Sequence, residues 1–103
     1  MNLPSKELLS EMFNIEVCTV SIFDNLIHME TANGYIRMNI YELMHELKLY
    51  SLDRDYKLLS SPTAAGGMCT SLHKLRKQRK TFTASTEVEA VVQACEWIRN
   101  NRW

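Results

Sequence analysis

Cys69 and His73 stand four residues apart, a spacing that on a helix would bring a thiol beside a base for nucleophilic chemistry. On a strand the same two residues share a face but lie two pleats apart. No third group stands by to orient the histidine, so no catalytic residue is assigned. The next segment carries a different chemistry. From His73 to Lys80, five of eight residues are cationic: Lys74, Arg76, Lys77, Arg79 and Lys80. No acid occurs between Thr63 and Thr86, so the run has no neutralising neighbour in sequence. Such a run either contacts an anionic partner or solvates a turn and keeps a sheet edge from pairing.

The other candidate chemistries fail on spacing. His28, His45, His73 and the three cysteines form no C-x-x-C, H-x-x-H or H-E-x-x-H pair, so neither a metal site nor a cofactor is expected. Gly66-Gly67 lacks the lysine that would follow in a phosphate-binding loop, and reads as a turn. The acid pairs Glu42/Glu46 and Glu87/Glu89 read as helix caps and solvated positions.

The elements that must position the basic run follow from periodicity. The 103 residues fit a single domain spanning 1–103, and 46% hydrophobic content permits a core. Twelve acids balance twelve bases, which argues against general coating of nucleic acid. The balance is uneven, because residues 1–52 hold seven acids and three bases. Pro4 to Phe13 is expected as a helix with Pro4 in its first turn, and Ile15 to Phe23 as a strand with Cys18, Val20 and Ile22 on one side. Asp24-Asn25 marks a turn. Asn33-Gly34 predicts a type I′ hairpin pairing Thr31 with Ile36, Glu30 with Arg37 and Met29 with Met38. One face then carries Ile27, Met29, Ile36 and Met38.

Asn39 with Glu42 forms a capping box, and Ile40, Leu43, Met44, Leu47 and Tyr50 make a helical stripe. Tyr56 to Ser60 reads as a short strand. Met68 to Thr81 fits either a helix or two strands joined by a basic turn, and the hairpin is favoured. Thr86 with Glu89 opens a last helix, with Val88, Val91, Val92, Cys95 and Ile98 inward and Arg99 and Arg102 at its end. The order is α-β-β-β-α-β-β-β-α, an α+β domain in which three helices cover a mostly antiparallel sheet. From Asn39 onward this is also the order of double-stranded-RNA-binding domains. That family opens its last helix on lysines, whereas Thr86-Glu87-Val88-Glu89 would repel phosphates, so the assignment is excluded.

Three segments, Leu3 to Glu11, Asn39 to His45 and Thr86 to Ile98, together resemble a group of small uncharacterised proteins of bacterial prophage and mobile-element type. The resemblance implies no activity and assigns no functional residue. It implies an accessory phage role, including inhibition of a host defence system by protein binding. The absence of a signal-peptide pattern or an apolar span, and three widely spaced cysteines, lead to the expectation of a reduced, cytoplasmic protein. The expected function is non-enzymatic binding of a protein partner, such as a nucleic-acid-handling complex, through a surface that includes residues 73–80. Direct nucleic-acid binding by Lys74, Arg76, Lys77, Arg79 and Lys80 is the alternative, and open sheet edges allow a homodimer. Tyr35 and Trp103 are candidate contact aromatics.

Overall fold

The first turn of a helix leaves backbone N–H groups without partners inside the helix, and a polar side chain caps each helix of this chain. In the computed structural model, which describes residues 3–101, helix α1 (Lys6–Phe13) starts at Ser5, whose hydroxyl accepts from the Leu8 N–H. Pro4 therefore precedes the cap rather than occupying the first turn. Helix α2 (Ile40–Asp53) starts at Asn39, where the carboxamide accepts from Tyr41 and Glu42 while Glu42 accepts from the Asn39 N–H. Helix α3 (Glu87–Asn100) starts at Thr86, which accepts from the Glu89 N–H. Trp103 and Arg102 lie outside the described residues.

Between the helices run two three-stranded antiparallel sheets, each a meander: β1 (Val17–Phe23), β2 (Leu26–Thr31) and β3 (Gly34–Asn39), then β4 (Lys57–Pro62), β5 (Met68–Lys74) and β6 (Lys77–Ala84). The α-β-β-β-α-β-β-β-α order is as expected, and the strands divide between two sheets. Residues 68–84 are the hairpin and not a helix. Its turn, Leu75-Arg76, has positive φ at both residues (55° and 66°), as does Asp24-Asn25 between β1 and β2 (53° and 61°). Paired positive φ values match the right-handed twist of a two-residue hairpin.

The β2–β3 register differs from the expected one. Thr31 faces Gly34, Glu30 faces Tyr35, Met29 faces Ile36 and His28 faces Arg37, so the turn is centred on Ala32-Asn33. The cause is Thr31, whose hydroxyl accepts from the Asn33 N–H and donates to the Gly34 carbonyl. Only Gly34 then needs positive φ (126°), which glycine adopts without a Cβ penalty. The slip displaces each partner by two positions, so Ile27, Met29, Ile36 and Met38 still share the inward face. A bulge between Val17 and Thr19 makes the other correction: Val17 turns inward with Val20 and Ile22, while Cys18 is exposed.

The core is one cluster drawn from all three helices and both sheets, including Leu8, Ile27, Leu47, Leu72 and Ile98. With extents of 39 × 33 × 18 Å, the thin dimension holds one helical and one sheet layer. Polar ties join the helices. The Ser5 N–H and hydroxyl both donate to the Glu96 carboxylate at 2.8 Å, and Glu11 accepts from Tyr50 and from Arg54 (3.1 Å). No helix among the described residues is long and apolar enough to cross a membrane.

Candidate interaction surface

A strand rises by about 3.3 Å per residue, so β5 carries its first charge from the core to the tip of the hairpin within a few residues. Alternation turns Thr70 and Leu72 inward, and Lys74 continues that face beyond the packed core. Its ammonium lies 4.8 Å from the centre of the Tyr56 ring. Across the hairpin Lys74 faces Lys77, a like-charge pair that no ion pair among the described residues relieves. The turn then projects Leu75, which is 83% exposed, and Arg76.

Beyond the turn, β6 should alternate, yet Arg79 lines a crevice beside Trp97 and its neighbour Lys80 also reaches the Trp97 ring. The register explains this: His73 faces Gln78 and Leu72 faces Lys80, so Arg79 is an extra, unopposed residue. Lys80 consequently returns to the inward face, with its ammonium 5.9 Å from the Trp97 ring and 5.8 Å from Phe82. Arg79 joins Lys74, Tyr56, Trp97 and Asn101 around a crevice of about 360 Å³. Tyr56 and Trp97 meet edge to face, with centroids 6.2 Å apart. The five cations thus cluster around the hairpin, with two of them, Lys74 and Lys80, set against aromatic faces.

Next to the turn is a groove of about 700 Å³. Its apolar lining comes from the end of α2 (Leu52, 55% exposed), Tyr56 just before β4, Leu59 within β4 (48% exposed) and Leu75. Lys57, His73, Lys74 and Arg76 rim it, and Asp55 is the one acid lining it among the described residues. The basic run was legible in the sequence. Leu52, Tyr56, Leu59 and Trp97 were not, because the fold gathers them from distant positions and each carries an ordinary helix or strand pattern.

The remaining candidates have structural places. Cys69 and His73 share one face of β5, and four strand residues separate them by roughly 13 Å, too far for a thiol–imidazole hydrogen bond. Among the described residues no three His, Cys, Asp or Glu side chains gather into a metal-binding group. Gly67 meets the Ala84 carbonyl so closely that a Cβ would lie 2.7 Å from its oxygen, and its N–H is already bound to Thr63. The glycine pair therefore closes a loop rather than cradling an anion. Burial tends to raise the Glu87 carboxyl, but hydrogen bonds from Lys48 and Ser60, with the Lys48 charge, outweigh it and hold the group below the ordinary value. Cys95, which donates to the Leu47 carbonyl, is pushed up to about 12 by burial and by Glu96, against a smaller opposing effect of Arg54. It stays a neutral thiol.

No protein-family model matches the chain, and neither a curated protein nor a solved structure matches it.

Proposed function

We propose that this protein acts without catalysis, by binding an acidic, amphipathic segment of a protein partner in the groove beside the β5–β6 turn. The observation that carries this reading is the convergence of Leu52, Leu59 and Leu75, all exposed, inside a rim of Lys57, Lys74 and Arg76. Exposed apolar side chains grouped within a polar rim mark an interaction site, whereas scattered ones carry no such meaning. The leucines would take the apolar side of the partner, and the bases would steer and orient its acidic side. A reduced cytoplasmic setting suits the three free cysteines, and the resemblance to prophage and mobile-element proteins suits an accessory role such as blocking a host defence complex.

Calorimetric titration with a helical peptide carrying leucine on one face and glutamate on the other tests the reading. Wild type should bind it with an affinity that weakens as salt is added, and Leu75→Ala with Arg76→Glu should abolish binding. Equal binding of a lysine-bearing counterpart, or no binding of either peptide, contradicts the reading. A second reading, nucleic-acid binding, is favoured by one observation: Lys74 and Arg79 line the Tyr56–Trp97 crevice and the Lys80 ammonium lies 5.9 Å from the Trp97 ring, an arrangement in which a base could stack and a phosphate be neutralised. Titration of labelled single- and double-stranded DNA and RNA at two salt concentrations decides it. Steeply salt-dependent binding that is lost in Arg79→Glu/Lys80→Glu would support it.

A further inference from the structure

The two ends of β6 carry opposite chemistry. At one end is the turn, with Leu75 projecting between Lys74, Arg76 and Lys77. Ala84 ends the strand and Thr86 opens α3 at the other. Beside α3's first turn is a cleft of about 660 Å³, bounded by the β1–β2 turn and the first turns of α2 and α3. The Asn25 carbonyl accepts from the Ile40 N–H at 2.9 Å and fixes that turn against α2. Phe23 (74% exposed) and Tyr41 (65% exposed) project at the cleft, and Met44 also lines it. Asp24, Glu87 and Glu89 line it as well, and Lys48 offsets one of these charges through its ion pair with Glu87.

Resting on the reading that the hairpin end is a binding surface, we propose that its acidic amphipathic partner is a second copy of this chain, so that copies associate head to tail. Each side supplies what the other lacks. The turn offers a leucine flanked by bases, and the cleft offers apolar walls edged by acids. The projecting Phe23 and Tyr41 find apolar counterparts in Leu52 and Leu59 across the same contact. The chain cannot satisfy the two surfaces internally, because the eight residues of β6 hold them roughly 23 Å apart. Formal net charge is zero, so approaching copies meet no overall repulsion, and the uneven distribution orients them. A contact between two different surfaces of one chain is heterologous, and repeats until it closes into a ring or extends as a filament.

Sedimentation and light scattering of the full chain, from micromolar to near-millimolar concentration, test the proposal. Wild-type mass should rise past that of a dimer with concentration and fall with added salt. Two variants at exposed positions break one end each: Leu75→Glu/Arg76→Glu at the turn, and Phe23→Lys/Tyr41→Lys at the cleft. Each alone should be monomeric, with an unchanged circular dichroism spectrum. Their equimolar mixture should form a dimer and stop there, because each variant lends one intact end. A wild type that stays monomeric, or assembles unaffected by either variant, or a mixture that fails to pair, overturns the proposal. If monomeric wild type still binds the leucine–glutamate peptide through Leu75, only self-assembly is refuted; if it binds neither, the groove reading falls too.

Discussion

At the residue scale, the three cysteines separate by environment. Cys18 is exposed because the β1 bulge turns it out, Cys69 is half-buried, and Cys95 is buried with its thiol held neutral. Thiolate is the reactive form, so alkylation of the native protein at neutral pH should modify Cys18 first and leave Cys95 untouched until denaturant is added. Peptide mass mapping reads the order, and early labelling of Cys95 would contradict this packing. Glu87 gives a pH dependence with a definite sign. Its folded pKa lies below its unfolded value, so it stabilises the fold above the ordinary carboxylate range and the contribution is lost as pH falls through the lowered value. Denaturant titrations at neutral pH and on the acid side of 4.5 should show this loss, and Lys48→Met should diminish it. Capping residues were readable in the sequence because a cap is decided within four residues, as Asn39 with Glu42 and Thr86 with Glu89 illustrate. The Glu96–Ser5 tie spans 91 residues and left no local sign.

At the element scale, the β5–β6 turn departs from the usual turn chemistry. Asn-Gly suits paired positive φ, yet the turn is Leu75-Arg76, in which both residues bear the steric cost of that conformation. Leu75→Asn/Arg76→Gly should therefore stabilise the fold by about 1 kcal/mol, or roughly 4–8 °C in Tm for a chain of this size. The same variant should bind the leucine–glutamate peptide more weakly, because it removes the projecting leucine and a rim charge. Calorimetric melting together with peptide titration checks both effects, and gain of stability with unchanged binding would remove Leu75 from the site. Periodicity, caps and turn signals identified the elements outside residues 68–81, but not every register. The two-residue period places Met29 and Ile36 on one face under either pairing, so only the Thr31 hydroxyl bonds distinguish the actual turn. The helix-forming composition of 68–81 was equally indecisive, since Lys, Arg and Gln at a solvated edge satisfy either structure.

At the scale of the whole molecule, two sheets and three helices share one core, with α2 packed on both α3 and β4. Leu47 is fully buried near the centre of that arrangement, and its carbonyl receives the Cys95 thiol. Leu47→Ala should cost about 2–5 kcal/mol, and Trp fluorescence and far-UV circular dichroism should report one coincident unfolding transition. Separate transitions for the two sheets would contradict a shared core. The basic run was legible as charge, whereas its setting depended on tertiary placement. The exposed Leu52 and Leu59 beside Tyr56 turn a charged hairpin into a rimmed groove, and the bulge at Arg79 with the aromatic pair Tyr56–Trp97 builds the separate crevice next to it. That groove is the central functional claim. The most direct measurement is a set of amide NMR spectra of isotope-labelled protein recorded while the leucine–glutamate peptide is added. Shifts concentrated in residues 52–59 and 73–77 are the predicted result. Shifts confined to the outer face of β1–β3, or no shifts at saturating peptide, would contradict it.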